Sequence, residues 1–325
     1  MTDVLALGRA GVDFYSLDYG EPLERASRFA KYVGGTTANV VVGGARLGLD
    51  CALVTRVGDD ELGRFIVNYL TAEGVDTSNV RLDPRRKNGI VFGEVTPGKD
   101  SKFIFYRENA ADLFLTQRDV PKRAIERTRV LLFTATALLK DPSRSATLRA
   151  ASTARALGKT VVFNLDWRPA LWSMPVRSRV RLYSEAIRNS DVLVGNDGEY
   201  AAATGVEGLE RSLGAIKGLE EKVAVVTQGA RGSTVVERGK RAFAQGFEVR
   251  LLKGLGGGDG FLSGFLFGSL RGWGLRASAL FGNACGAIVV TGHACSESMP
   301  RLPQVVSFLK ERGYHFDRSS GPSKD

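Results

Sequence analysis

Short apolar runs and longer stretches of helical periodicity alternate along this chain. Residues 4–7, 51–55, 130–134, 160–164, 191–194 and 223–227 are runs of four to five residues dominated by Val, Leu, Ala and Phe, too short for helices. Residues 62–73 and 144–157 place apolar side chains at helical spacing and stop at Gly74 and Gly158; residues 277–290 form a further helical stretch. Strands apolar along their whole length and separated by helices predict a mostly parallel sheet flanked by helices on both faces. Two β-type runs, 88–95 and 102–106, joined by a turn at 96–100, interrupt that alternation. Together with residues 14–32 they are expected to build a small β-sheet lid.

The rest is organised around residues 253–266, Lys-Gly-Leu-Gly-Gly-Gly-Asp-Gly-Phe-Leu-Ser-Gly-Phe-Leu. Apolar residues at 261, 262, 265, 266 and 270 recur at helical spacing, so the glycines stand where a loop enters a buried helix. Free backbone N–H groups and the positive end of a helix dipole, about half a charge, face open space there and suit an anion. Gly256, Gly257 and Gly258 let the main chain approach it closely, and Asp259 is the only carboxylate in the stretch. Phosphoryl transfer uses both parts: donors for the charge on the moving group, and a carboxylate for the proton of the attacking hydroxyl. The alternative is a plain helix entry with Asp259 as its N-terminal acid.

Other candidates lie at strand ends, where open α/β sheets place ligand contacts. Asp13 follows the first strand and is a ligand group or a turn cap. Gly34-Gly35 permits close backbone approach, Thr36 or Thr37 can cap the helix that follows, and Asn39 offers donor and acceptor in its first turn. Arg107 is a carboxylate clamp or a surface partner of Glu108 or Asp112. Arg168 follows the 160–164 strand; Asn196 with Glu199 forms a capping box or stands beside metal-bound phosphates. His293, a lone histidine near a helix end, is assigned no role.

Composition narrows the class. At 325 residues with 43% hydrophobic and 25% charged residues, the chain reads as a globular α/β protein. The net charge of +10 is spread, densest at 85–87 and 118–129 without interleaved aromatics, which favours anionic small molecules over nucleic acid. No apolar run spans a bilayer, residues 1–8 lack a leader pattern, and Cys51, Cys285 and Cys295 share no metal-ligand spacing; a cytoplasmic protein with reduced thiols is expected. Residues 318–325 are polar and expected to be disordered.

Gly34-Gly35 with Asn39, and Gly256-Gly257-Gly258-Asp259, together resemble the two signatures of the ribokinase-like, or PfkB, family of sugar kinases, in order over about residues 4–310. Segments such as Thr55-Arg56-Val57-Gly58-Asp59, 105–112 and Asp166-Trp167-Arg168-Pro169 resemble the subgroup acting on 5-dehydro-2-deoxygluconate in inositol catabolism. The resemblance implies an ATP- and Mg2+-dependent kinase acting on a sugar-acid primary hydroxyl. In it Asp259 is the base, and the Gly256, Gly257 and Gly258 amides stabilise the phosphoryl group. Asp13, Gly34, Gly35 and Asn39 hold sugar hydroxyls, and Arg107 and Arg168 meet the carboxylate. Asn196 and Glu199 stand near magnesium and phosphate, Glu199 as an indirect metal contact; Thr227, Gly229, Gly232 and Asn283 line the nucleotide site. Residues 1–13, 33–87 and 108–317 form the core, residues 14–32 and 88–107 the lid, and the lid pairs in a homodimer. Lys253 replaces an Asp common in the family that helps hold a monovalent cation, so its ammonium is expected to stand in for that ion. Gly257 and Gly260 depart from the usual Ala and Ala or Ser, which predicts a looser loop, and Asn164 replaces a usual Asp. A 2-keto-3-deoxygluconate kinase, another sugar kinase of the family, and a non-catalytic sugar or nucleotide sensor remain alternatives.

Overall fold

The computed structural model describes residues 1–98 and 102–324, so part of the turn expected at 96–100 lies outside the described residues. Nine strands form the main sheet in the spatial order Lys240–Gln245, Gly232–Glu237, Val223–Thr227, Val192–Asn196, Thr160–Asn164, Thr128–Thr134, Thr2–Leu7, Cys51–Gly58 and Val80–Asp83. Neighbours pair parallel except at one edge, where Gly232–Glu237 and Lys240–Gln245 return antiparallel.

Both faces of this sheet are covered, which is why its strands are apolar at consecutive positions rather than alternating. Val4 and Ala6 join one apolar cluster with residues from the helices Thr36–Leu47, Glu61–Ala72, Gly257–Leu270 and Leu275–Val289. Leu5 and Leu7, one residue out of phase, join the opposite cluster with the helices Ser143–Ala156 and Val176–Arg188. No helix among the described residues is long and apolar enough to cross a membrane.

A second, four-stranded sheet has the order Phe29–Gly34, Gly11–Ser16, Ile90–Gly93 and Phe103–Tyr106, two antiparallel pairs joined by one parallel pairing. It takes in Gly11 to Asp13 and Val33-Gly34, which the sequence reading had placed in the core, because strand pairing carries the ladder to the sheet's root. His293 ties this sheet to the core: its Nε2 lies 3.0 Å from the Ser16 carbonyl and its Nδ1 2.9 Å from the Tyr32 hydroxyl. A carbonyl only accepts, so Nε2 carries the proton and, in the neutral ring, Tyr32 donates to Nδ1.

The C-terminal segment, expected to be disordered, is instead ordered through residue 324. His315–Asp317 pairs antiparallel with Gly321–Ser323, and Trp273 Nε1 donates to the Arg318 carbonyl at 3.0 Å. The cause is long-range, since the pair covers Trp273, whose ring a Cβ on Gly321 would meet at 2.7 Å.

Candidate active site

Two helix N-termini and one strand end converge where the small sheet overhangs the main one. The helix Gly257–Leu270 is capped by Gly256 in the left-handed conformation, φ 86°, with no side-chain cap, so its first N–H groups face the cleft. A Cβ on Gly258 would meet nothing within 4 Å, whereas one on Gly257 would lie 2.8 Å from Val290 Cγ1 and one on Gly260 2.7 Å from Val289 Cγ2. The first glycine borders open space. The other two let this helix lie against Leu275–Val289, so the expectation of a looser loop is corrected: these glycines are filled by Val289 and Val290 from the facing helix.

Asp259, third residue of that helix, is 7% exposed, and Asn39 Nδ2 donates to its Oδ2 at 2.7 Å. Burial, with the nearby Asp166 charge, pushes its carboxyl up to about 7, against the opposing pull of Asn39, Arg168 and Lys253. Asn39 comes from the helix Thr36–Leu47, whose N-cap is Gly35 at φ 106°. Neither Thr36 nor Thr37 caps it; the Thr37 hydroxyl donates to the Arg9 carbonyl at 2.8 Å, because Gly35 lies against that carbonyl, 2.3 Å from a built Cβ.

Asp13, 3% exposed, accepts from Arg9 Nη2 at 3.2 Å and from the Tyr15 hydroxyl at 2.8 Å. Its carboxyl lies over Gly34, where a Cβ would sit 2.1 Å from it. Gly34 therefore makes room for Asp13 and does not itself line the pocket. That pocket is bounded by Arg9, Asp13, Gly35, Asn39, Asp166, Arg168 and Asp259 among others, with a volume of about 40 Å³. Arg9 Nε and Asn39 Oδ1 are buried there without a protein partner, one donor and one acceptor.

Arg107 is not among the residues lining the pocket. Its guanidinium is buried against Asp112, Nε at 3.1 Å with a second bond from Nη2, and Nη2 also donates to the Thr136 carbonyl at 3.0 Å. Of the two expectations for Arg107, the carboxylate clamp is corrected and the pairing with Asp112 is found, buried rather than at the surface; the guanidiniums bordering the pocket are those of Arg9 and Arg168. Arg168 Nε donates to Asp166 Oδ1 at 2.9 Å, and Asp166 raises the affinity of that guanidinium for its proton. Asp166 holds φ 33°, rare outside glycine, at 3% exposure, with Thr136 Oγ1 donating to its Oδ2 at 3.3 Å. Sequence reasoning gave neither Arg9 nor Asp166 a role. The available signal was an acid two residues before an arginine at a strand's carboxyl end.

Across Asp259 lies a larger cleft of about 490 Å³. Asn196, Glu199, Thr227, Gly229, Gly232, Gly256, Gly257, Gly258 and Asn283 border it, with Phe247, Val249, Leu251, Ala287 and Val290 as apolar wall. Asn196 and Glu199 form a reciprocal capping box, Asn196 N to Glu199 Oε2 2.8 Å and Glu199 N to Asn196 Oδ1 3.0 Å. Desolvation pushes the Glu199 carboxyl up to about 7, Asp166 adding to it and Arg168 opposing. Asn283 spends its amide on the Ala244 and Gln245 carbonyls, 3.0 Å each, and a Cβ on Gly232 would collide with the Ala244 carbonyl at 2.1 Å; both fix the wall of the cleft. Apolar wall, helix N-terminus and the bordering carboxylates Asp166, Glu199 and Asp259 fit a nucleoside triphosphate with Mg2+, which binds through one or two carboxylates plus phosphates. Among the described residues no group of three or more His, Cys, Asp or Glu could hold a metal by itself.

Lys253 is fully buried; its Nζ donates to the Leu255 carbonyl at 2.8 Å and lies 3.4 Å from Cys295 Sγ, beneath the Tyr15 ring at 5.6 Å.

Comparison with known proteins adds the following. Residues 1–302 match the family described as pfkB family carbohydrate kinase. A 5-dehydro-2-deoxygluconokinase of Shouchella clausii is 37% identical over 95% of this chain and 96% of its own. A fructokinase of Vibrio cholerae O395, solved in fructose, ADP and calcium ion bound form, is 29% identical with a TM-score of 0.83, covering 95% of this chain and 99% of that one. An uncharacterized sugar kinase of Pyrococcus horikoshii, solved in complex with ATP, is 25% identical with a TM-score of 0.82 over 95% and 99%.

Proposed function

This chain belongs to the pfkB family of carbohydrate kinases, and from that premise we propose that it transfers the γ-phosphoryl group of ATP to a primary hydroxyl of 5-dehydro-2-deoxygluconate. It is a phosphotransferase acting on a sugar. The observation that carries the finer reading is Asp259: a buried carboxyl poised near neutrality, at a helix N-terminus, between a small polar pocket and a large cleft.

In this reading the Asp259 carboxylate takes the proton of the attacking hydroxyl, and the N–H groups of Gly256, Gly257 and Gly258 stabilise charge on the transferring group. Asp13 and Asn39 hold sugar hydroxyls, beside Gly35. Arg168, with Arg9, meets the substrate carboxylate; Arg107 supports the pocket through Asp112. Asn196 and Glu199 face the phosphates, and Thr227, Gly229, Gly232 and Asn283 shape the nucleotide wall. Mg2+, when bound with ATP, neutralises phosphate charge. Lys253 supplies the positive charge of a monovalent cation from within the protein, so turnover is expected to be independent of potassium. A strong potassium requirement would refute that assignment.

The small sheet's outer face supports a homodimer through the lid. Phe14 and Phe92 stack at 5.2 Å, Phe29 and Tyr106 pack edge-on against Phe92, and Ile104 and Tyr106 are 45% and 56% exposed. Ile104→Asp is expected to yield monomers in sedimentation equilibrium. A dimer of unchanged affinity would count against this face.

The deciding experiment is ATP consumption across sugar acids, neutral sugars and nucleosides. Turnover is expected on 5-dehydro-2-deoxygluconate ahead of 2-keto-3-deoxygluconate. ATP bound without turnover on any of them would make the protein a sensor.

A further inference from the structure

Three buried side chains that the reaction does not consume connect the two halves of the site. The Tyr15 hydroxyl, fully buried, donates to Asp13 Oδ2 at 2.8 Å and lies 3.3 Å from Cys295 Sγ. Cys295 Sγ lies 3.4 Å from Lys253 Nζ, which donates to the Leu255 carbonyl at 2.8 Å. Leu255 immediately precedes Gly256, and a Cβ built on Gly256 would sit 3.0 Å from Cys295 Sγ, so the thiol also backs the left-handed residue that opens the anion loop.

The ends give this chain one direction. An ammonium can only donate and an ionised carboxylate can only accept. Lys253 therefore donates to Cys295, the thiol to Tyr15, and the phenol to Asp13, each bond polarising the next. Burial raises the proton affinity of both Tyr15 and Cys295, keeping the two middle members neutral. A sugar hydroxyl that engages Asp13 changes the demand on the Tyr15 proton, and the change ends at Leu255.

We propose that Tyr15 and Cys295 are positioning residues that couple occupation of the sugar pocket to the conformation of the Gly256 to Gly258 loop. This rests on Asp13 belonging to the sugar site and the glycines to the phosphoryl site. Neither side chain touches a reacting atom, and the relay acts through Asp13 at one end and Lys253 at the other.

The test measures ADP affinity by calorimetry with and without saturating 5-dehydro-2-deoxygluconate as the probe. The intact protein is expected to bind ADP more tightly with the acid present, within the roughly 5–150-fold range of such couplings. Tyr15→Phe keeps the ring and deletes the hydroxyl; it should bring the ratio close to one while leaving ADP affinity without the acid unchanged. Cys295→Ala should do the same, and Cys295→Ser, which still donates and accepts, should restore most of the ratio. The proposal is overturned if the intact protein shows a ratio near one, if Tyr15→Phe and Cys295→Ala keep the full ratio, or if Cys295→Ser behaves like Cys295→Ala, which would make the thiol mere packing. Asp13→Asn separates the underlying reading. If it left affinity for the acid untouched, Asp13 would not belong to the sugar site, and the relay would fall with it.

Discussion

Asp259 at about 7 predicts a rate that climbs through neutrality, and Asp166 is the handle with which to move it. Only the ionised carboxyl can take a proton, so activity is lost as pH falls. About nine tenths of the base is ready at pH 8, half at pH 7 and about one tenth at pH 6. Asp166→Asn removes one negative charge near Asp259 with little conformational cost, because Asn tolerates the left-handed φ of 33° and its amide oxygen can still accept from Arg168 Nε. Loss of that like charge should lower the midpoint by about one unit, raising the rate at pH 6 from about one tenth to about half of each protein's own plateau. The assay is kcat/KM for the sugar acid from pH 5 to pH 9 at saturating MgATP. Glu199 also stands at about 7; if both carboxyls must ionise, the acid limb steepens to a slope of two, and Glu199→Gln returns it to one at a lower plateau. A flat profile, or a midpoint that stays put or rises in Asp166→Asn, would refute the electrostatic reasoning.

Asp259→Asn should reduce kcat by about 10²–10⁴-fold while ADP still binds. The same variant should be more stable: the folded carboxyl sits about three units above its ordinary 3.8, so the folded state binds the extra proton and stability declines as pH rises from about 4 through 7. Removing the charge should therefore recover up to about 4 kcal/mol at pH 8 and almost nothing at pH 4, read by urea melts; an equal change at both pH values would disprove the linkage. Gly260→Ala should cost about 1–3 kcal/mol through its contact with Val289, and Val289→Ala in the same chain should return most of it. Additive losses in the double variant would show that the two side chains do not meet. Arg168→Ala should raise KM for sugar acids at least tenfold more than for neutral sugars, and equal losses on both would remove the carboxylate assignment.

The layered fold was legible in the sequence because strands buried on both faces must be apolar at consecutive residues, and Thr160–Asn164 and Val223–Thr227 were delimited to the residue. Gly256, Gly257, Gly258 and Asp259 were legible for a local reason, since a helix start with no side chains in front of it is written in adjacent positions. Partnership was not. Asp112 was one of the partners open to Arg107, but nothing local tells that the pair lies in the interior; nothing around Gly34 tells that Asp13 lies over it; and the polar C-terminus is ordered only because Trp273 is there to be covered. The sequence determined which groups stand at the ends of strands and helices, because backbone periodicity depends on neighbours along the chain. Which of those groups meet, how far burial lifts the Asp259 carboxyl, and which arginines border the pocket depend on distances between residues far apart in sequence, and only the packing of the two sheets decided them.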